Sequence, residues 1–380
     1  MAREPHDPRH AARTFSQELR SSVDARTVVL MIGVLLLQVA FIWSYVGAFH
    51  EPKPKDVPVG IVAPTQQIGE QAVAKLNAID GSPVKAHVVS SESAARQEIK
   101  NVDSSAALVI NPSGTQDTLL VASGGGTSVV TSMETVFTRA LATQQRTITT
   151  TDIVPLQSGD ARGLSGFYLA IGWMVGGYLV ASLLGIAKGT RAHNLTRATA
   201  RVLGLVPYAF LSGLGGALVV DQGLGAITGH FWALVGIGTL VSYAASVVTI
   251  AFQSFLGVLG IGLAVLLFVV LGNPSAGGAY QSDVLPTFWR AIGDWLPNGC
   301  ATEAIRRVVY FGGAGVWPFV LTILGWAVAG IVLTLLGTKL LADEEHLSVL
   351  LPESEEELDE LRRAAAETSD AATEGAQPAS

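Results

Sequence analysis

Residues 231–271 read FWALVGIGTLVSYAASVVTIAFQSFLGVLGIGLAVLLFVVL, 41 residues without Asp, Glu, Lys, Arg, His or Pro. As one straight helix rising 1.5 Å per residue, this run would be about 60 Å long, twice the ~30 Å hydrocarbon core of a bilayer. The chain must turn back inside it. The polar break is AFQS at Ala251–Ser254, which predicts one span at Phe231–Phe252 and the next at Ser254–Leu271. GNPSAGGAY follows directly. Proline bars helix continuation and restricts its predecessor, so Asn273-Pro274 is expected to stop the second span before a tight glycine turn.

Four more apolar runs lie at Val28–Tyr45, Gly166–Ala187, Val202–Val220 and Trp317–Leu341. Only 14% of residues are charged and mean hydropathy is +0.43, whereas soluble domains carry about 25% charged residues. The expectation is an α-helical membrane protein with six transmembrane helices. Lys and Arg in short flanks set its orientation. Arg3, Arg9, Arg13, Arg20 and Arg26 precede the first span, Lys188, Arg191, Arg197 and Arg201 separate the second and third, and Lys339 ends the sixth. Six spans put all of these in the cytoplasm together with both termini, and the base-free loop DQGLGAITGH outside. Arg290, Arg306 and Arg307 then fall outside, against the rule. A cleaved signal peptide with VGA (Val46–Ala48) as its site is the other reading of the first span. The long lead and long apolar run favour an uncleaved anchor.

Five segments follow. Residues 1–26 form a cytoplasmic lead in which Phe15, Leu19 and Val23 share one helical face beside Arg13 and Arg20, suited to the membrane surface or to a plain lead-in. Residues 27–49 are the first transmembrane helix. Residues 50–163 form an extracytoplasmic α/β domain between helices one and two, in the order β-α-β-α-β-β-α-β, with Val129, Met133, Phe137 and Leu141 on one helix stripe. Residues 164–341 are a five-helix transmembrane domain with an outer amphipathic loop at 273–316. Residues 342–380 form an acidic cytoplasmic tail, in which Pro352, a run of acids and then Arg362 and Arg363 match one helix. The net charge of −7 belongs to this tail.

Several chemistries are missing from the sequence. No span holds an ionisable residue in its interior, which argues against an ion-coupled carrier. No G-x-x-x-x-G-K-[ST] phosphate loop occurs; GIAKGT at Gly185–Thr190 has the wrong order, and GVLGIG at Gly257–Gly262 lies in an apolar run. There is no nucleophile elbow, and the single Cys300 excludes an internal disulfide and a multi-cysteine metal site. No enzyme activity, catalytic residue, metal, cofactor or nucleic-acid partner is expected. Glycines at 172, 176, 213, 215 and 216 suit close helix packing within one subunit or across a dimer seam.

The plan of one anchor, an external α/β domain and five further spans resembles the membrane subunit of the type-2 ABC exporters. Within them it is similar to the branch of the phage-infection proteins and their relatives of unknown function. The wording of residues 273–310, NPSAGGAYQSDVLPTFWRAIGDWLPNGCATEAIRRVVY, carries the resemblance at Asn273, Pro274, Gly277, Gly278, Tyr280, Pro286, Pro297 and Arg306. The better known phage-infection proteins have a much longer external region than the compact domain found here. The resemblance implies a homodimeric permease subunit in the plasma membrane, bathed in lipid and driven by a separate ABC ATPase. Its substrate would be hydrophobic or amphipathic and would move outward. Lys188, Arg191, Arg197 and Arg201 become candidates for coupling to the ATPase, or simple positive-inside anchors. An outer gate is implied at Asn273, Pro274, Gly277, Gly278 and Tyr280. Two short helices would complete it, with Trp289, Arg290, Trp295 and Arg306, both tryptophans suiting the headgroup belt. A surface cap is the alternative for that loop. A non-transporting scaffold whose external domain binds a secretion or envelope partner is the alternative for the chain.

Overall fold

The computed structural model describes residues 25–350. The lead-in helix around Phe15–Val23 and the tail helix after Pro352 lie outside the described residues. The chain divides into two compact units, one built from residues up to Ile171 together with Val265–Phe319, the other from Gly172–Ala264 and the residues from Val320 onward.

In the first unit, helix α1 (Ala25–Phe49) leads through a proline-rich link to β1 (Val57–Val62). There follow α2 (Gln66–Asn77), β2 (Val84–Val89), α3 (Glu92–Asn101), β3 (Ala106–Val109), β4 (Gln116–Val121), α4 (Thr127–Ala142) and β5 (Thr147–Asp152). This is the order expected from the sequence. Thr65 and Ser91 start α2 and α3 by accepting hydrogen bonds from the amides of Ile68 (3.3 Å) and Ala94 (3.2 Å). The sheet order is β2-β1-β3-β4-β5, with β1 parallel to both neighbours and β4 antiparallel to β3. Side chains alternate between the two faces. Val57, Val59, Ile61 and Leu108 pack with Leu76 of α2 and with Met133 and Phe137 of α4, whereas Ala107 and Leu120 pack with Ala95 and Ile99 of α3.

The second unit is made of apolar helices. Helix α5 (Ser165–Lys188) enters it from the first unit, followed by α6 (Leu195–Ala217, extended by a π-helical turn to Gly223) and α7 (Phe231–Leu256). Helix α8 begins at Leu259 in this unit and ends at Ser275 in the first, and α11 (Trp317–Leu350) closes the described chain. Helix α7 is buried along most of its length. Its polar side chains reach carbonyls on α5: Ser242 Oγ donates to Trp173 O (3.1 Å), Ser246 Oγ to Gly177 O (3.0 Å) and Gln253 Nε2 to Ala181 O (3.3 Å). A Cβ on Gly177 would run into the Ser242 carbonyl, so the missing side chain is what lets the two backbones approach.

Two expectations about residues 231–275 are corrected. The chain does not turn at Ala251–Ser254. Helix α7 continues through these residues to Leu256, because Gln253 is satisfied by Ala181 and Ser254 by Ile250 O (2.9 Å). The turn comes at Gly257, whose φ of +59° suits a residue without a side chain, and Gly260 then lies against the α7 backbone at Phe252. Nor does Asn273-Pro274 stop α8. The helix passes through both residues to Ser275, with a π-helical stretch at Leu266–Leu271 before them.

Five helices are long and apolar enough to cross a membrane: Thr27–Phe49, Ser165–Lys188, Leu195–Gly223, Phe231–Leu256 and Trp317–Leu341. Leu259–Ser275 is apolar but shorter.

Candidate functional site

A proline inside a helix lacks the amide that would bond the carbonyl four residues back. For Pro274 that carbonyl is Val270 O, and Ser44 Oγ of α1 donates to it instead. Neighbouring carbonyls are met the same way. Asn298 Nδ2 donates to Phe268 O (2.9 Å) and Ser275 Oγ to Leu271 O (2.8 Å). The end of α8 is thus braced by side chains from three places in addition to its own ladder, one way apolar helices tolerate proline. Asn298 Nδ2 also donates to Asn273 Oδ1 (2.8 Å), and the Tyr45 hydroxyl bonds the same Asn273 side chain. Asn298 Oδ1 is the one buried side-chain oxygen or nitrogen without a partner among the described residues, and Gly272 lies against it.

The end of α8 and the turn after it are buried from Gly272 to Gly278. Gly277 has φ +69°, and its carbonyl accepts from Arg306 Nη2 at 2.7 Å. Arg306 belongs to α10 (Pro297–Tyr310), which follows the short α9 (Thr287–Gly293). Only 7% exposed, Arg306 pairs with Glu303, which also faces Arg307 (3.6 Å). Gly278 is small for a different reason: the Phe167 ring occupies the place of its side chain.

The loop beyond the turn is fastened to the sheet layer. Gln281 is bonded in both directions to Ser128 at the start of α4, its amide donating to Ser128 Oγ at 3.2 Å. The amides of Lys53 and Lys55 donate to Val284 O (3.1 Å) and Asp283 O (3.0 Å). Asp283 accepts from Ser105 Oγ (3.1 Å) and faces Arg290 (3.5 Å), which itself donates to Lys55 O (2.5 Å). Burial pushes the Asp283 carboxyl above the usual carboxylate range, outweighing the pull of Arg290 and Ser105. At the far end of α10, Tyr310 donates to Asp160 Oδ2 (2.6 Å) and covers Gly124. Burial first, and then the bond to Asp160, hold this phenol well above its ordinary range, so it stays a donor.

Most residues expected at a gate therefore meet here. Asn273 and Pro274 lie in the last turn of α8, Gly277 and Gly278 form the turn after it, and Arg306 of α10 holds that turn. Arg290 anchors the loop, and Tyr280 lies 5.7 Å from the Phe49 ring between centroids. The two tryptophans part company. Trp289 is turned inward against Ala48 and Leu285, while Trp295 is 73% exposed. Ser44, Ser128, Asp160, Gln281, Asn298, Glu303 and Tyr310 went unnoticed in the sequence. Ser44 alone carries a local signal, one of the few polar side chains, with Gln38 and Tyr45, in a mostly apolar span.

The basic residues between α5 and α6 form a separate group. Arg201 Nη2 donates to Lys188 O (2.8 Å) and Arg191 Nη2 to Phe255 O (3.2 Å), satisfying carbonyls at the ends of α5 and α7. Asn194 caps α6 by accepting from the Arg197 amide (2.8 Å). The side chains of Lys188 and Arg197 are exposed.

A family model described as ABC-2 family transporter protein matches residues 25–339. No curated protein and no solved structure matches the chain.

Proposed function

Because the chain belongs to the ABC-2 family of transporter proteins, we propose that it is the permease subunit of an exporter driven by a separate ABC ATPase. The cargo is a hydrophobic or amphipathic molecule moved outward across the plasma membrane. Within the family, the wording of residues 273–310 supports the phage-infection-protein-like branch. It works as a homodimer with six spans, both termini cytoplasmic, residues 50–163 outside and lipid around the helices.

The observation that carries this reading is the end of α8. A helix terminus that passes from π-helical to α-helical winding and is braced by Ser44, Asn298 and Ser275 can change its winding by exchanging side-chain partners. Gly277 and Arg306 tie that terminus to α10, and Tyr310 ties α10 to the sheet layer. This assembly is the outer gate, with Asn273, Pro274, Gly278, Tyr280, Trp289, Arg290 and Trp295 around it.

Coupling to the ATPase falls to the basic group. Arg191 and Arg201 hold helix ends together, which leaves Lys188 and Arg197 to meet acidic residues of the ATPase. The test is purification in mild detergent with identification of copurifying proteins, followed by efflux of a toxic amphiphile from cells. An ABC ATPase is expected to copurify with wild type, and to be lost, together with efflux, in Lys188→Glu/Arg197→Glu. Absence of any ATPase, with efflux unchanged on deletion of the gene, overturns the transport reading in favour of the scaffold.

A further inference from the structure

The sheet layer leaves one face incompletely covered. Helix α2 leads from β1 outward to β2, and α4 leads from β4 outward to β5, so the connections diverge above β1 and β3. The gap between the two helices opens a crevice over this face of the sheet. Here the crevice is a groove of about 1250 Å³. Its floor includes Leu108 of β3 and Ile110 just after it, and its walls carry Ala72 from α2 and Val136 and Ala140 from α4. Pro64, after β1, and Asn111 and Pro112, after β3, line the carboxyl end.

The charge around this apolar trough is uneven. Lys53, Lys75, Arg139 and Arg146 line it, against Asp80 and Asp117. Asp117 is wholly buried and already satisfied by Arg146 (2.8 Å to Nε) and by the Asn111 amide (2.8 Å). Lys53 pairs with Glu51. Lys75 and Arg139 come from the two facing helices, are exposed, and have no ion-pair partner among the described residues. Two uncommitted cations on opposite walls of an apolar channel match one kind of ligand: a long hydrocarbon chain ending in an anion.

We propose that this groove is a binding site for a long-chain lipid with an anionic headgroup, the chain lying over Leu108 and Ile110 and the headgroup between Lys75 and Arg139. Guanidinium and ammonium groups give charge-assisted hydrogen bonds to carboxylate or phosphate. The volume lies above the usual 300–1,000 Å³ range of small-molecule pockets, which leaves room for a long chain. The site stands whether or not the chain transports anything, because it uses only residues of the sheet layer.

The test uses the full chain in phosphatidylcholine nanodiscs and a palmitate analogue carrying a photoactivatable diazirine near its methyl end. Cross-links are mapped by mass spectrometry. Adducts are expected on peptides containing Ala72, Leu108 and Val136. Lys75→Glu/Arg139→Glu should lower them about tenfold, the scale of one lost charge-assisted hydrogen bond. Thr135→Trp, a substitution at an exposed position that fills the groove and keeps both cations, should abolish them. The uncharged alcohol of the same chain should label poorly, and a lysophospholipid with a bare phosphate headgroup should compete, whereas inorganic phosphate should not. Unchanged melting of the variants confirms that they fold. The proposal is overturned if adducts fall only in the apolar helices, if Thr135→Trp labels like wild type, or if the alcohol labels as well as the acid. Loss of labelling through competition by an added amphipathic peptide, without competition by the lysophospholipid, would make the groove a protein-docking site and equally overturn it.

Discussion

Val270 loses its helical donor because residue 274 is proline, and a serine on another helix supplies the replacement. This substitution of partners makes a quantitative expectation possible. Ser44→Ala leaves a buried carbonyl unmet and should cost about 1 kcal/mol, since side-chain hydrogen bonds between membrane helices average somewhat less and orphaned buried acceptors somewhat more. Pro274→Ala restores an amide four residues after Val270, so in that background Ser44→Ala should cost little. A double-mutant cycle on thermal unfolding in detergent measures the coupling. If the two losses simply add, Ser44 does not compensate for the proline. Nothing in the sequence pairs a serine at position 44 with a proline at position 274, because the pairing exists only once α1 and α8 are packed. The partner of Arg306 is hidden for a related reason: the residue reads as a base at the end of an amphipathic segment, and only the fold buries it beneath the Gly277 carbonyl.

At the scale of elements, strands and helices of the sheet layer were legible because their signals are local: serine and threonine caps, alternating burial and a four-residue stripe on α4. The α7–α8 hairpin was misread because polarity stood in for turn geometry. Gln253 and Ser254 are polar yet bonded inside the bundle, and the chain turns where a glycine can take φ +59°. The two glycines after α8 separate in the same spirit. Gly277→Ala strains a positive φ and should cost about 1 kcal/mol, while Gly278→Ala forces the Phe167 ring aside and should cost about 1–3 kcal/mol. For a gate, Gly277→Ala should accumulate normally and export less; normal export would reduce the turn to a connector. The strap at Asp283 has a pH signature. Its folded pKa is raised, so the folded protein holds this proton more tightly than the unfolded chain. Its contribution to stability is then full at low pH and declines as pH rises through the folded pKa. Relative to Asp283→Asn, wild type should gain in melting temperature as the buffer is taken from about pH 7 to about pH 4. A difference constant with pH would refute the assignment.

For the whole molecule, the low charge content and the long apolar runs made the membrane class legible from composition alone, while the division into two units cut across α5, α8 and α11 in a way no hydropathy pattern shows. The side of the membrane on which each loop lies is open to direct chemistry. Cysteine at exposed Ser113, in the turn between β3 and β4, should react with an impermeant thiol reagent in intact cells, and cysteine at exposed Thr196 should react only after lysis, with buried Cys300 giving little background. Labelling of Thr196 in intact cells would invert the proposed orientation. The brevity of α8 bears on the bilayer itself. Its 17 residues, Leu259–Ser275, extend roughly 26 Å, less than the ~30 Å of an average hydrocarbon core. Lipids beside a short helix must compress or tilt, at a cost of fractions of a kcal/mol per Å. On the proposed six-span topology α8 crosses the bilayer, so the protein would carry its own local defect in membrane thickness, adjoining the proline-bearing helix end, and a bilayer thinned there would present a lower barrier to any molecule leaving it sideways.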